Sequence, residues 1–327
     1  MAFQTRQKEG LSHNYLQISD LQRLEHLSFS SRRTVEGQYS GQHATPQRGK
    51  SVEFRDYRQY IPGDELSNVD WKVYGRSDKL FIKIFEHQAD LTAHLLVDAS
   101  ASMAFRGIRA PRSQPVGYAK RTRGGKDAKL PLSKYDCACG LAAGLAFLIV
   151  KEKDRVSFAA AREGLYEHLP PSSSVVNLSG ILKVMERINP SGEAQLSQAI
   201  RELAGKSRKR DLLIVFSDLL GTSGEIMNAL SLWLHRGGEV IVFHVMHEEE
   251  LTLPVVPNGI FIDSETAERI RLNVEDIRPE YDARMKVFLE GWSQTCRGNG
   301  IDYVLSSTAE PYHEQLFRFL TRRAASA

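Results

Sequence analysis

A chain of 327 residues, 42% hydrophobic and 25% charged, has the composition of a folded soluble protein and not of a disordered one. Forty-three basic against 40 acidic residues leave a net charge of +3, too small for overall charge to imply a nucleic-acid partner. No run reaches the roughly 20 apolar residues of a membrane span, and the polar start Gln4, Arg6, Lys8, Glu9 lacks the core of a secretory signal, so a cytoplasmic location is expected.

In chain order, the first expected element is a helix over Ile18–Phe29, where Ile18, Leu21, Leu24 and Leu27 recur on one side and Ser19 or Asp20 serves as cap. Ser31–Lys50 is polar and Gly-containing, as loops are. Between Ser51 and Glu86 lie Val52-Glu53-Phe54, the turn Ile61-Pro62-Gly63-Asp64, and the alternating strand Leu80–Phe85 with a hairpin-like partner nearby. Residues 1–90 are therefore expected to hold an N-terminal helix and a small β-rich element.

Beyond residue 90 strands and helices alternate. Strands are expected at Ala93–Val97, Arg155–Ala160, Asp211–Phe216, Glu239–Met246 and Ile301–Leu305. Helices are expected at Tyr135–Lys151, Val175–Ile188, Leu196–Leu203, Glu225–His235, Pro279–Cys296 and near Glu310–Arg323. Buried strands such as Leu212-Leu213-Ile214-Val215-Phe216 are apolar on both sides, which predicts an α/β domain over 91–323 with a mostly parallel sheet and helices on both faces. Cys137, Cys139 and Cys296, without metal-type spacing, fit core thiols in a reducing compartment.

The segment 106–134 interrupts the alternation. It carries Arg106, Arg109, Arg112, Lys120, Arg121, Arg123, Lys126, Lys129 and Lys134 against the single acid Asp127, with no periodicity, and is expected to be a basic loop. A solvated loop explains it more cheaply than nucleic-acid binding does, since Tyr118 alone is no stacking platform.

The chemistry concentrates at two strand ends. An apolar strand delivers Asp98, with hydroxyls following at Ser100 and Ser102; a second strand ends at Ser217-Asp218. Loops at the carboxyl ends of strands form the ligand crevice of open α/β sheets. A carboxylate and two hydroxyls, completed by water, make a hard oxygen site suited to Mg²⁺ or Mn²⁺. A divalent ion would also relieve the repulsion between Asp98 and Asp218. The plainer alternative is that each Asp merely caps the next helix.

Asp98-Ala99-Ser100-Ala101-Ser102 resembles the Asp-x-Ser-x-Ser signature (MIDAS) of the metal-ion-dependent adhesion site in von Willebrand factor A domains. The upstream block is more distinctive: Glu53-Phe54, Asp56-Tyr57-Arg58, Tyr60, Pro62-Gly63-Asp64, Val69-Asp70-Trp71-Lys72, Gly75-Arg76 and Leu80, then Lys83 and Glu86. It resembles the DUF58 family, as do Lys134-Tyr135, Asp154-Arg155-Val156 and the Tyr281/Arg284 helix. The resemblance implies a von Willebrand factor A-like (Rossmann-like) fold. It also implies metal ligation by Asp98, Ser100, Ser102 and Asp218, and a partner's acidic residue completing the metal shell. The threonine of the family's third loop is missing, since the matching loop Pro190–Leu196 places Ala194 there. Glu193 or Gln195 supplying an oxygen, water filling the place, and loss of the metal all remain open.

The resemblance further implies a non-enzymatic protein-interaction module, an adaptor or assembly factor for a MoxR-type AAA+ ATPase. Two alternatives are a metal-dependent phosphoester hydrolase, for which no general base is evident, and nucleic-acid binding through 106–134. No Gly-Lys-Ser/Thr phosphate loop occurs, which argues against ATP hydrolysis by this chain. In the upstream block Arg58, Asp64, Asp70 and Arg76 are expected to form buried pairs, with Trp71 as an apolar anchor.

Overall fold

The structure, a computed structural model, describes residues 14–16, 22–29, 52–60, 69, 71–77, 79–87, 91–107, 132–254, 256–262 and 268–325. The chain forms two units, one of residues 33–90 and one of residues 1–32 together with 91–327. The smaller unit holds β1 (Val52–Gln59), α1 (Trp71–Ser77) and β2 (Phe81–His87). β1 and β2 pair antiparallel, with a bulge between Phe54 and Asp56.

The larger unit is built on a six-stranded sheet. Its strands are β3 (Thr92–Asp98), β4 (Arg155–Ala161), β5 (Leu165–Ser172), β6 (Leu212–Ser217), β7 (Glu239–Met246) and β10 (Asp302–Ser307). Their order is β10-β7-β6-β3-β4-β5, parallel throughout except for β5 at one edge. A separate hairpin pairs β8 (Asn258–Ile262) with β9 (Arg269–Asn273). The mostly parallel sheet with helices on both faces is the expected α/β fold.

Strand side chains alternate between two cores, as the period of two requires. Leu95, Val97, Ile214, Phe216, Ile241 and Phe243 face α2 (Lys134–Lys151), α3 (Val175–Arg187) and α8 (Tyr312–Ala324). Leu96, Leu213, Val215, Val240 and Val242 face α4 (Leu196–Lys206), α5 (Ser223–His235) and α7 (Val274–Gly298). A short helix, α6 (Glu248–Leu251), follows β7. The three cysteines lie within these cores.

α2 is the central helix, buried along nearly its whole length and apolar all round from Cys137 to Val150, as a core helix must be. Its start is set by a capping box between Ser133 and Asp136. α8 crosses so closely that a Cβ on Gly144 would lie 2.5 Å from Leu316 Cδ1.

The division at residue 90 needs a correction. The N-terminal residues, expected to accompany the small β-rich element, join the larger unit instead. Tyr15, Leu16, Leu24 and Phe29 are buried in its core, and the Tyr15 hydroxyl donates to Asp136 Oδ1 at 3.0 Å. Of the apolar side chains that suggest a helix, Leu24 is buried beside Gly144 of α2 and Leu27 packs against the same core, while Ile18 and Leu21 lie outside the described residues. Among the described residues only 22–24 of that stretch are helical.

Candidate metal and docking crevice

β3 and β6 are neighbours in register, Val97 opposite Phe216, so their carboxyl ends open side by side. β3 connects to β4 on one side while β6 lies on the other, which makes this gap the switch point of the sheet. Asp98, Ser100, Ser102, Ser217 and Asp218 are all buried there.

Each side chain has defined partners. Asp98 Oδ1 accepts from the Ser100 amide at 2.9 Å, and Oδ2 accepts from the Ser217 hydroxyl at 2.7 Å. The Ser100 and Ser102 hydroxyls stand 3.1 Å apart, and Ser102 donates to Asp218 Oδ2 at 2.6 Å. Asp98, Ser100, Ser102 and Asp218 therefore form one connected group, as the strand-end spacing predicts. Burial, with Asp218 nearby, pushes the Asp98 carboxyl up to about 6 against the donors that favour its charge.

Asp218 is aimed by its surroundings. Leu219, buried, adopts a left-handed backbone with φ 54°, a conformation costing about 1–3 kcal/mol for a non-Gly residue. Its amide donates to Ser217 Oγ at 3.0 Å. Behind the turn, His244 Nε2 lies 2.9 Å from the Asp218 carbonyl and Nδ1 lies 2.7 Å from the Tyr303 hydroxyl. A carbonyl only accepts, so Nε2 carries the proton and Nδ1 receives the tyrosine's. Burial pushes His244 down to about 4, which keeps it neutral. It buttresses the Asp218 turn from behind. No histidine is among the described residues that line the crevice.

Lys134 requires the second correction. It was expected in the basic loop, yet it is the first residue of α2 and fully buried. Its Nζ lies 2.7 Å from Asp218 Oδ2 and 2.6 Å from Glu250 Oε1. Glu250 belongs to the capping box of α6, with Oε2 accepting from the His247 amide at 3.0 Å. Tyr281 of α7 donates to the Glu250 carbonyl at 2.7 Å. Glu250 and Leu219 are site residues that the strand-end reading does not single out, and Ser217 gains a role as donor to Asp98.

The third loop is strapped to the first by backbone. The Ser191 amide donates to the Ala99 carbonyl at 2.9 Å, and the Ala101 amide donates to the Gly192 carbonyl at 2.9 Å. Gly192 has φ +75°, where a side chain would be strained. This fixes the loop so that Ala194 lines the crevice beside Asp98, with no side-chain oxygen to offer. Glu193 and Gln195 line it too, as do Arg201, Thr222 and Glu225, around a volume of about 440 Å³.

The remaining expected residues are placed unevenly. Arg106 pairs with Asp136 at 2.7 Å and so belongs to the start of α2 more than to a free basic patch. Arg109, Arg112, Lys120, Arg121, Arg123, Lys126 and Lys129 lie outside the described residues, as do Asp64, Asp70 and the side chain of Arg58. Arg76 is exposed, not buried in a pair. Trp71 is 60% exposed and meets Tyr74 edge-on at 6.1 Å. It opens a short helix whose described side chains are exposed or half-buried.

The donor set suits a hard divalent ion. Two carboxylates and two hydroxyls converge, and Mg²⁺ ordinarily takes one or two carboxylates and keeps several waters. Two buried carboxylates (Asp98, Asp218) and the half-buried Glu250 against one ammonium leave surplus acid for a dication to neutralise. Among the described residues no three His, Cys, Asp or Glu side chains form a metal cage. Any bound ion would depend on Ser100, Ser102 and water as much as on acids.

The family model described as "Protein of unknown function DUF58" matches residues 56–122 and 123–288. Uncharacterized proteins of Mycobacterium bovis and Mycobacterium tuberculosis are 21% identical over 308 residues, covering 93% of this chain and 90% of their own. Among solved structures, BatB from Bacteroides thetaiotaomicron is 18% identical at a TM-score of 0.41, covering 72% of this chain and 100% of that one. An aerotolerance-related membrane protein from Bacteroides fragilis is 16% identical at 0.42, covering 71% and 99%. The SpRpn10 VWA domain is 7% identical at 0.40, covering 70% and 95%. In this chain, no helix among the described residues is long and apolar enough to cross a membrane. The family match spans most of the sequence, from within the upstream block to the long helix α7: the chain belongs to the DUF58 family.

Proposed function

We propose that the crevice between β3 and β6 docks an acidic residue of a protein partner through Mg²⁺ or Mn²⁺. In this reading the chain performs no chemistry of its own. It serves as an adaptor or assembly factor for a MoxR-type AAA+ ATPase in the cytoplasm. The observation that carries the reading is the convergence of Asp98, Ser100, Ser102 and Asp218 in one hydrogen-bonded group, of which Asp98 lines a polar crevice. A bound Mg²⁺ supplies positive charge and an open coordination position for a carboxylate.

Electrostatics supply the metal dependence. Asp98, Glu193 and Glu225 line the crevice against the single cation Arg201 among its described lining residues, so an approaching carboxylate is repelled until a dication is present. Ala194 leaves the third position to water or to the neighbouring Glu193 or Gln195. The choice of ATPase rests on the family resemblance alone.

The test is association of the full chain with a MoxR-type ATPase from the same genome, measured by calorimetry. Binding is expected in Mg²⁺, with at least about a tenfold loss in EDTA or in Asp98→Ala. Equal affinity in EDTA and in the variant would remove the crevice from the mechanism.

A further inference from the structure

Lys134 is a residue that neither helix formation nor an adhesion-type metal site calls for. As the first residue of an 18-residue helix, its positive charge sits at the positive end of the helix dipole, where an acid is favoured. Its side chain has no exposure, and a buried ammonium is tolerated only when fully paired. Two carboxylates provide that pairing, and they come from separate elements: Asp218 after β6, and Glu250 in α6. The contact with Asp218 is made at Oδ2, the same oxygen that accepts the Ser102 hydroxyl. The ammonium thus shares an oxygen with the group a divalent ion would use. Glu250, held through Oε2 by the His247 amide, offers Oε1 to the lysine.

We propose that Lys134 is an internal cation that competes with a divalent ion for Asp218. It keeps the metal-free crevice ordered and sets its metal affinity, and Glu250 retains the ammonium when an ion enters. This rests on the reading that the crevice takes a divalent ion, and it adds the residue that decides how tightly. A cation a few ångströms from the incoming ion opposes it directly, while Glu250 gives that cation a second partner in place. Lys134 acts through Asp218 and is a positioning residue.

The experiment titrates Mn²⁺ into the full chain by electron paramagnetic resonance and follows thermal melting in parallel. It compares the wild type, Lys134→Met, the double variant Lys134→Met/Glu250→Gln, and each of these with Asp98→Ala. Both lysine variants are expected to bind Mn²⁺ at least about tenfold more tightly, and to lose that gain with Asp98→Ala. The double variant removes one positive and one negative charge together, so tighter binding there reflects release of Asp218 and not a change in overall charge. A Lys134→Met chain that folds only when Mn²⁺ is added supports the proposal in the same way. Wild type without detectable Mn²⁺ but variants that bind it would support the competition and contradict metal-dependent docking by the native chain. Mn²⁺ bound by wild type and variants with equal affinity would overturn the competition and leave the metal reading standing. Binding by none of them, or variants that neither fold nor respond to Mn²⁺, would overturn the proposal.

Discussion

The Asp98 carboxyl is buried beside a second acid, and each circumstance disfavours its charged form. A folded-state value of about 6 against 3.8 for an unperturbed group means that the native state binds the proton more tightly than the unfolded state. The resulting destabilisation is complete above about pH 6, shrinks as pH falls, and is gone below about pH 4. Asp98→Asn should therefore raise stability in EDTA at pH 7.5 by about 1–3 kcal/mol, two units corresponding to about 3 before any loss of hydrogen bonding. Urea titrations at pH 7.5 and pH 4 check this: the gain should vanish at the lower pH. A variant less stable than wild type at pH 7.5 would contradict the burial account. At this scale the strand-end acids were legible, because an apolar run ending in Asp-x-Ser-x-Ser leaves little choice of position. Lys134 was not, because it follows a stretch of unpatterned basic residues. The available signal was Ser133 with Asp136 three residues on, a capping-box spacing that puts Lys134 in a helix.

α2 connects the site to the core. Its first residue holds Asp218, its cap acid Asp136 gathers Arg106, Tyr15 and Ser133, and its middle receives α8 across Gly144. Gly144→Val should force Leu316 and Tyr312 outward and cost about 1–3 kcal/mol of overpacking, measured by the denaturant midpoint. An unchanged midpoint would mean that the crossing is looser than described. Elements with strong apolar patterns were legible in sequence, and the weak ones were not. β5 contains Pro170 and Pro171 and lies half-buried at the sheet edge, where strand propensity is low and tertiary pairing decides. α7 begins at Val274, before the expected Pro279. The Asn273 side chain caps it by accepting from the Glu275 amide at 3.1 Å, and Glu275 and Asp276 complement the dipole.

For the whole molecule, the sheet's order does the work of assembling the crevice. Placing β3 between β4 and β6 brings two acids about 120 residues apart in sequence to one gap. The loop from α3 to α4, tied to Ala99 and Ala101, closes its side. Such convergence follows from long-range strand pairing and is only implied by local sequence, which is why Glu250 and the register of Ala194 needed the fold. The resulting site gathers buried acids and hydroxyls, and reaches a polar crevice through Asp98 and Ser217. In the proposed function this gap accepts a divalent ion on Asp98, Ser100 and Ser102. The direct measurement is a crystal of the full chain soaked in saturating Mn²⁺ and read by anomalous scattering. The account predicts a peak within about 2–2.5 Å of the Asp98 carboxylate and the two serine hydroxyls. A map with no peak in the gap, and the Lys134 ammonium still on Asp218, would contradict it.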